Sequence, residues 1–343
     1  MTARPDPTSF RLTVLNPGGR DLEQHFPDGA GESAQPHSPT NFHAYAACTR
    51  GTFHRDAKKA IDEQTPVLLL LRGDFIAAER ALTALQKQDR FVAVSLKETG
   101  LHQIADQLRD PSRLLRFRRI IRQANGCISP TPEAADFYRA IRGSPDRVAF
   151  IPTPYPIDDR RWNFSRPAGE RSGIFVGTRE WKVPSRNHLG ALWIARRLSE
   201  QTGQSVTLFN LDGRRGSRLI SASGLASDKV QIFDKPMSYP NYLRGIARHK
   251  IVFQLDTSFV PGQVAGDALL CRVPCVGGNG AIDRLGFPET CGFMRTITEI
   301  EQAALRLLTD QRAYQQAVAA IDKAMSVSFG TVADQLKAFF AAT

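Results

Sequence analysis

Two segments of this 343-residue chain hold the residue types that recognise a phosphorylated ligand. The first reads Gly173-Ile174-Phe175-Val176-Gly177-Thr178-Arg179-Glu180-Trp181-Lys182 and continues through Pro184, Arg186, Asn187 and His188 into a helical pattern over 189–198. An apolar strand that ends in a glycine turn and reopens as a helix leaves free backbone N–H groups and a positive helix end at the carboxyl edge of a sheet, where an anion can sit. Arg179, Lys182 and Arg186 add mobile positive charge to that edge. The second segment, 256–277, reads as strand end, glycine-containing loop, short helix, tight turn and next strand. Such a loop lets backbone amides approach phosphate closely. A carboxylate one helical turn in can accept hydrogen bonds from both hydroxyls of a ribose, and Asp267 is that carboxylate.

The elements that must carry these segments are short apolar runs separated by longer helical patterns. In the first half they are 10–15, 67–71, 91–96, 126–129 and 148–151; in the second, 173–176, 205–209, 230–233, 251–255 and 273–276. Continuous apolar runs without period-two alternation suit strands covered on both faces by helices, so the expected fold is α/β, a parallel Rossmann-like layer built twice. Between the two sets lies 152–162, with three prolines in Pro152-Thr153-Pro154-Tyr155-Pro156, which reads as an extended interdomain linker. The expected domains are therefore 1–165, 166–325 and a terminal helical segment, 326–343. Residues 27–40, rich in Gly, Ser, Pro and Asp, read as a loop.

Hydrophobic residues at 42% and charged residues at 23% exclude a disordered, collagen-like or coiled-coil chain. The longest apolar run, 67–71, is far short of the ~20 residues needed to cross a bilayer, and no signal-peptide pattern opens the chain, so a cytoplasmic protein is expected. The five cysteines are scattered and imply no disulfide framework, and Cys271 and Cys275 lack a second ligand pair at zinc spacing, so no metal site is expected. Forty-five Lys and Arg against 34 Asp and Glu leave a net charge of +11, which favours anionic partners in encounter. The helical stretch 111–124 sets Arg113, Arg116, Arg118, Arg119 and Arg122 against Leu114, Leu115, Phe117, Ile120 and Ile121. It can dock peripherally on anionic membrane through Arg113, Arg116 and Arg119, or pack its apolar side on its own sheet; both readings stay open.

Over 125–343 the chain resembles the GT-B glycosyltransferases, in particular the large retaining, nucleotide-sugar-dependent group of the family 4 kind. Asp267-Ala268-Leu269-Leu270-Cys271-Arg272-Val273-Pro274-Cys275-Val276 lies over that group's Glu-Ala-Met-Ala-x-Gly-x-Pro-Val-Val, and 151–158 resembles its linker Ile-Pro-Asn-Gly-Val-Asp. Residues 329–340 look like the family's last helix, which crosses back onto the first domain. The resemblance implies two Rossmann-like domains facing across a cleft and transfer of a sugar from a nucleotide-diphosphate donor to a hydroxyl of a glycan, a lipid-linked acceptor or a small molecule.

By the same resemblance Gly177, Arg179 and Lys182 hold the donor diphosphate, Gly262, Gln263 and Val264 meet phosphate and sugar through their backbone, Asp267 holds the ribose, and Phe233 and Lys235 lie along the base. Asn16-Pro17-Gly18-Gly19-Arg20 resembles the opening glycine loop, placing Gly18 and Gly19 on the acceptor side, with His43 on the 41–49 helical stretch beside them. Lys97 stands where many relatives carry a His at the reaction centre, and Glu98 is the nearest carboxylate to orient an acceptor hydroxyl. No Asp-x-Asp occurs, and helix ends with Arg179 and Lys182 neutralise a leaving diphosphate, so neither metal nor cofactor is implied beyond the nucleotide sugar as co-substrate. The family's first Glu falls on Phe259 and its usual Gly on Arg272. That departure admits a catalytically silent sugar-nucleotide binder. A DNA-base glycosyltransferase would use the positive charge, but no aromatic and basic cluster suited to base flipping is present, and a nucleic-acid partner is not expected.

Overall fold

The computed structural model describes residues 10–30, 38–178 and 180–341. The chain divides into two compact units, Met1–Arg161 with Ser328–Thr343, and Trp162–Val327. In the first, seven strands are described: β1 (Thr13–Leu15), β2 (Gln24–His25), β3 (Thr52–His54), β4 (Val67–Leu71), β5 (Val92–Leu96), β6 (Gly126–Ser129) and β7 (Val148–Phe150). They lie in the order β2-β3-β1-β4-β5-β6-β7, parallel except for β2 against β3. Every residue of β4 and β5 is buried, as strands covered on both faces must be. Leu69, Leu71, Val92 and Val94 share a core with Phe117, Ile120 and Ile121.

Strands β2 and β3 have no counterpart among the apolar runs. Thr52 and His54 of β3 are polar, and their side chains turn to Glu63, which also accepts from Thr13 Oγ1 at 2.7 Å; His54 Nε2 lies 2.6 Å from Glu63 Oε1. Burial pushes the Glu63 pKa up, but the bonds from His54, Thr52 and Thr13 outweigh it and hold the pKa at about 2. A strand stabilised through polar side chains carries no hydrophobic signature.

The helix Phe329–Ala341 belongs to this unit. Phe340 meets Phe91 and Phe10 at ring-centroid distances of 5.2 and 5.7 Å, and Phe339 meets Phe91 at 6.2 Å. A Cβ on Gly126 would lie 2.7 Å from Phe339 Cζ, so β6 opens on glycine to admit this ring. The boundary between the units, after Arg161, falls within the expected linker, whose first part is packed. Residues 151–157 are all buried within the unit, Tyr45 Oη donates to Ile151 O at 2.7 Å, and Tyr155 forms a parallel bridge with Ser328. Prolines here fix an extended path through packed structure instead of a solvated tether.

The basic helix Pro111–Gln123 buries Phe117, Ile120 and Ile121 in the unit core. Arg116 Nε and Arg119 Nη1 lie 3.3 and 2.8 Å from the Glu79 carboxylate, and Arg113 Nη1 donates to Gln107 O. These three cations are thus engaged within the unit.

The second unit carries β8 (Ile174–Val176), β9 (Val206–Phe209), β10 (Val230–Phe233), β11 (Ile251–Phe253) and β12 (Cys275–Val276) in the order β10-β9-β8-β11-β12, all parallel. Its core joins Ile174, Val176, Val206, Leu208, Ile251 and Phe253 to the helices His188–Thr202 and Ile297–Thr309. The chain runs from β8 outward through β9 to β10, then returns to lay β11 on the other side of β8. That reversal makes the carboxyl ends of β8 and β11 the switch point, where open α/β sheets bind ligands.

Candidate functional site

At the switch point β8 ends in Gly177. A Cβ there would lie 2.6 Å from Val264 Cγ1, so only glycine lets the helix Gln263–Cys271 bring its first turn against the strand end. Gly262 precedes that helix with φ +92, a left-handed conformation open to glycine, and Gly266 N donates to Gly262 O. The amides before Gly266 have no acceptor within the helix, and their positive end faces the switch point.

Two loops frame this opening and are tied together. Arg186 Nη1 meets Asp256 Oδ2, and Arg186 Nη2 lies 2.6 Å from Glu180 Oε2. Thr257 N donates to Ser185 O at 2.8 Å, and the Ser185 and Ser258 hydroxyls are 2.8 Å apart. Burial disfavours the Arg186 charge, yet Asp256 and Glu180 raise its pKa above the ordinary value. Arg186 was expected to be mobile charge. It is instead a strut, because two carboxylates hold its guanidinium.

Arg179 lies outside the described residues. Lys182 is exposed and lines a concavity with Arg214, Arg215 and Arg218. Thr178 anchors the loop start by donating to Phe209 O at 2.5 Å while accepting from Phe209 N. Phe233 stacks on Phe209 at 5.1 Å, and Lys235 is exposed in the loop that follows β10. Asp267 lies one turn into its helix, as expected, but is wholly buried, with Oδ1 accepting from Tyr239 Oη at 2.5 Å. In this structure the carboxylate presents no surface to a ribose; the group it holds is Tyr239, which is half-buried and ring-stacked on Tyr242.

Phe259 adopts φ +51 and its N–H donates to Asn279 Oδ1. Its ring lies edge-on to Phe293, and the Arg284 guanidinium sits 5.8 and 4.9 Å from the two ring centroids. Behind this loop, Asp283 is buried among Gly262, Gly278 and Gly280, whose added Cβ atoms would each fall within 3.0 Å of its oxygens. Gln254 Nε2 donates to it at 2.8 Å. Burial, then repulsion from Asp256, pushes its pKa up to about 7 despite that bond. A concavity of about 950 Å³ lies between the 285–290 segment and the helices Ile297–Thr309 and Gln311–Ile321.

In the first unit the switch point falls between β1 and β4, since β3 lies on one side of β1 and β4 on the other. Past β1, Gly18 takes φ +74 and Gly19 N donates to Asn16 O; a Cβ on Gly19 would lie 2.2 Å from Asn16 Nδ2. That turn places Asp21, which accepts from Asn16 Nδ2 at 2.6 Å and lies 3.1 Å from Lys97 Nζ at the end of β5. Burial raises the Asp21 pKa, but Lys97, helped by His43 and Arg72, brings it below the ordinary value. The Asp21–Lys97 pair is the feature of this sheet edge that sequence reasoning missed. Glu98 is exposed, with its carbonyl accepting from Gln107. His43 is buried, stacks on Phe53 at 3.8 Å and sets Nε2 2.8 Å from Leu22 O. It is a packing residue that fixes the Asp21 loop and offers no open face to an acceptor.

No family model matches the chain, and no curated protein does either. Solved structures do. HepE of Anabaena, in complex with UDP, shares 13% identity over 97% of this chain and 100% of its own, with a TM-score of 0.65. A UDP-forming trehalose-phosphate synthase from Burkholderia xenovorans shares 10% identity over 97% and 99%, TM-score 0.64. A chain from Listeria monocytogenes assigned as a UDP-N-acetylglucosamine 2-epimerase shares 16% over 83% and 77%, TM-score 0.52. At these identities the fold is what is shared. The chain has the GT-B fold, as its sequence resemblance implied, and among the described residues no helix is long and apolar enough to cross a membrane.

Proposed function

We propose that this protein is a glycosyltransferase that takes a sugar from a nucleotide-diphosphate donor, held by the second unit, and passes it to a hydroxyl acceptor bound by the first. The observation that carries this reading is the approach of the Gln263–Cys271 helix to Gly177 at the switch point. It is an anion site made of backbone, with a fixed dipole that needs no reorganisation as charge develops on the leaving diphosphate. The sequence resemblance adds Arg179 to this site, whereas Lys182 lines the neighbouring concavity with Arg214, Arg215 and Arg218. Phe233, which ends β10, and Lys235, in the loop after it, are assigned the base. Tyr239, oriented by Asp267, is assigned the ribose side in place of the carboxylate itself.

On the acceptor side, the Asp21 carboxylate accepts the hydroxyl proton or orients the hydroxyl, and Lys97 keeps Asp21 ionised. The neighbours' bound UDP supports uracil as the base to test first, and retention at the anomeric carbon follows the family resemblance. A second reading, a sugar-nucleotide binder without turnover, is favoured by Phe259, an aromatic ring in the loop that frames the opening.

Calorimetry with UDP, followed by a panel of UDP and other nucleotide sugars assayed for hydrolysis, transfer and C2 epimerisation, tests the proposal. Micromolar UDP binding with slow donor hydrolysis or transfer supports it. Binding without any turnover selects the silent binder, epimerisation replaces the reaction, and no nucleotide binding removes both readings.

A further inference from the structure

One strand away from the switch point, where β8 and β9 end, a concavity of about 520 Å³ is lined by Trp181, Lys182, Arg214, Arg215, Arg218 and Leu219. Trp181 is buried and Leu219 half-buried, while the four cations are exposed. Among the described residues none of these four cations forms an ion pair or a hydrogen bond. Elsewhere in the unit, Arg186, Arg197 and Arg272 all meet carboxylates.

Folding alone does not account for this arrangement. The helix Arg214–Ala222 opens here with no acidic residue in its first turn, so Arg214 and Arg215 oppose the helix dipole as well as each other. The frame beneath them is nevertheless rigid. Trp181 N donates to Asp212 Oδ2 at 3.1 Å, and Asn210 Nδ2 donates to Gly213 O and Ser217 Oγ at 3.0 Å. A Cβ on Gly216 would lie 2.0 Å from Asn210 Oδ1 and 3.0 Å from Trp181 Cε2, so the helix presses directly on the indole. Asn210 is 5% exposed, and its Oδ1 has no partner. Like charges are thus held together on a fixed floor, and the species that relieves their repulsion is an anion. Three guanidinium forks match the oxygens of a phosphate in bidentate fashion, and Lys182 adds a point charge.

We propose that this concavity is a second phosphate site, distinct from the nucleotide site at the switch point, and that it takes the phosphate or diphosphate of another ligand. It rests on the reading of the β8/β11 edge as the nucleotide site. In the setting of that reading, the reaction has a phosphorylated participant besides the nucleotide sugar. The phosphate belongs either to a soluble molecule or to a lipid headgroup; Leu211, 57% exposed, lies in the loop that leads into Arg214.

The test uses the full chain and inorganic pyrophosphate in calorimetry, with chloride matched for ionic strength, alone and with saturating UDP. The variant is Arg214→Gln with Arg218→Gln, both exposed, with its fold checked by circular dichroism. The proposal expects pyrophosphate to bind equally well with and without UDP. The variant should bind pyrophosphate at least tenfold more weakly and keep UDP affinity within twofold. Mutual exclusion of pyrophosphate and UDP, an equal loss of both in the variant, or pyrophosphate binding unchanged in the variant would overturn it. If UDP fails to bind while pyrophosphate binds wild type and not the variant, the second site stands and the nucleotide reading falls. Flotation with phosphatidic acid vesicles against phosphatidylcholine vesicles separates the sources: variant-sensitive flotation displaced by pyrophosphate identifies a lipid headgroup, and none identifies a soluble phosphate.

Discussion

Arg186 and Asp256 close the gap between the two loops at the β8/β11 switch point, one residue from each side, with side chains only 14% and 7% exposed. Each loop brings one half of the pair, so the register of one loop fixes the other. Arg186→Ala leaves a buried carboxylate without its cation, a change that costs about 3–5 kcal/mol. A marked fall in melting temperature is expected, together with weaker nucleotide binding. Pairing Arg186→Met with Asp256→Asn, which keeps the Ser258 N–H acceptor, should recover most of the stability. Equal losses in the single and double variants, measured by thermal unfolding, would show the pair to be incidental.

Gly177 is replaceable only if Val264 retreats. Gly177→Ala puts a methyl within 2.6 Å of Val264 Cγ1 and pushes the helix opening off the strand end. UDP affinity should drop at least tenfold, with a stability loss of about 1–3 kcal/mol from overpacking. Adding Val264→Ala makes room and should restore binding to near the wild-type value. Titration calorimetry on the three proteins decides it, and a failure of the second substitution to rescue would detach the helix opening from nucleotide binding.

Asp283 gives the protein a pH signature. Its pKa in the folded state, about 7, lies above the unfolded value of about 3.9, so the native state binds the extra proton between them. Stability from this group is full below the unfolded value and is lost as pH rises through the folded one. Asp283→Asn keeps an acceptor for Gln254 and removes the unpaired charge. The variant should therefore match wild type in melting temperature near pH 4 and exceed it at pH 8. A constant difference across that range, in scans at both pH values, would place the titration elsewhere.

The parallel layers were legible because their strands are covered on both faces, and apolar runs such as 67–71 announce that directly. β3 was not, because Thr52 and His54 satisfy Glu63 in place of filling a core. The glycines at 177 and 262 were read as turns beside a phosphate; what the structure sets against them is protein, Val264 at Gly177 and Asp283 with Ile282 at Gly262. Asp267 sits one turn into its helix as read, but its side chain faces inward and not toward a ribose. The signal that it faces inward was present, since 264–271 is buried throughout and its neighbours are apolar on every side. Asp21 lay beyond sequence reasoning: its partners Asn16 and Lys97 are brought together by strand order, and no spacing encodes that.

The helix Phe329–Ala341 sets an order of events during synthesis. The second unit is a continuous stretch, Trp162–Val327, and has all its strands once that stretch has left the ribosome. The first unit, although its strands emerge earlier, still lacks the Phe339 and Phe340 rings that cover Phe91 and the bridge from Ser328 to Tyr155. The domain made first is therefore finished last. Until then Phe91 lacks the two rings that pack on it.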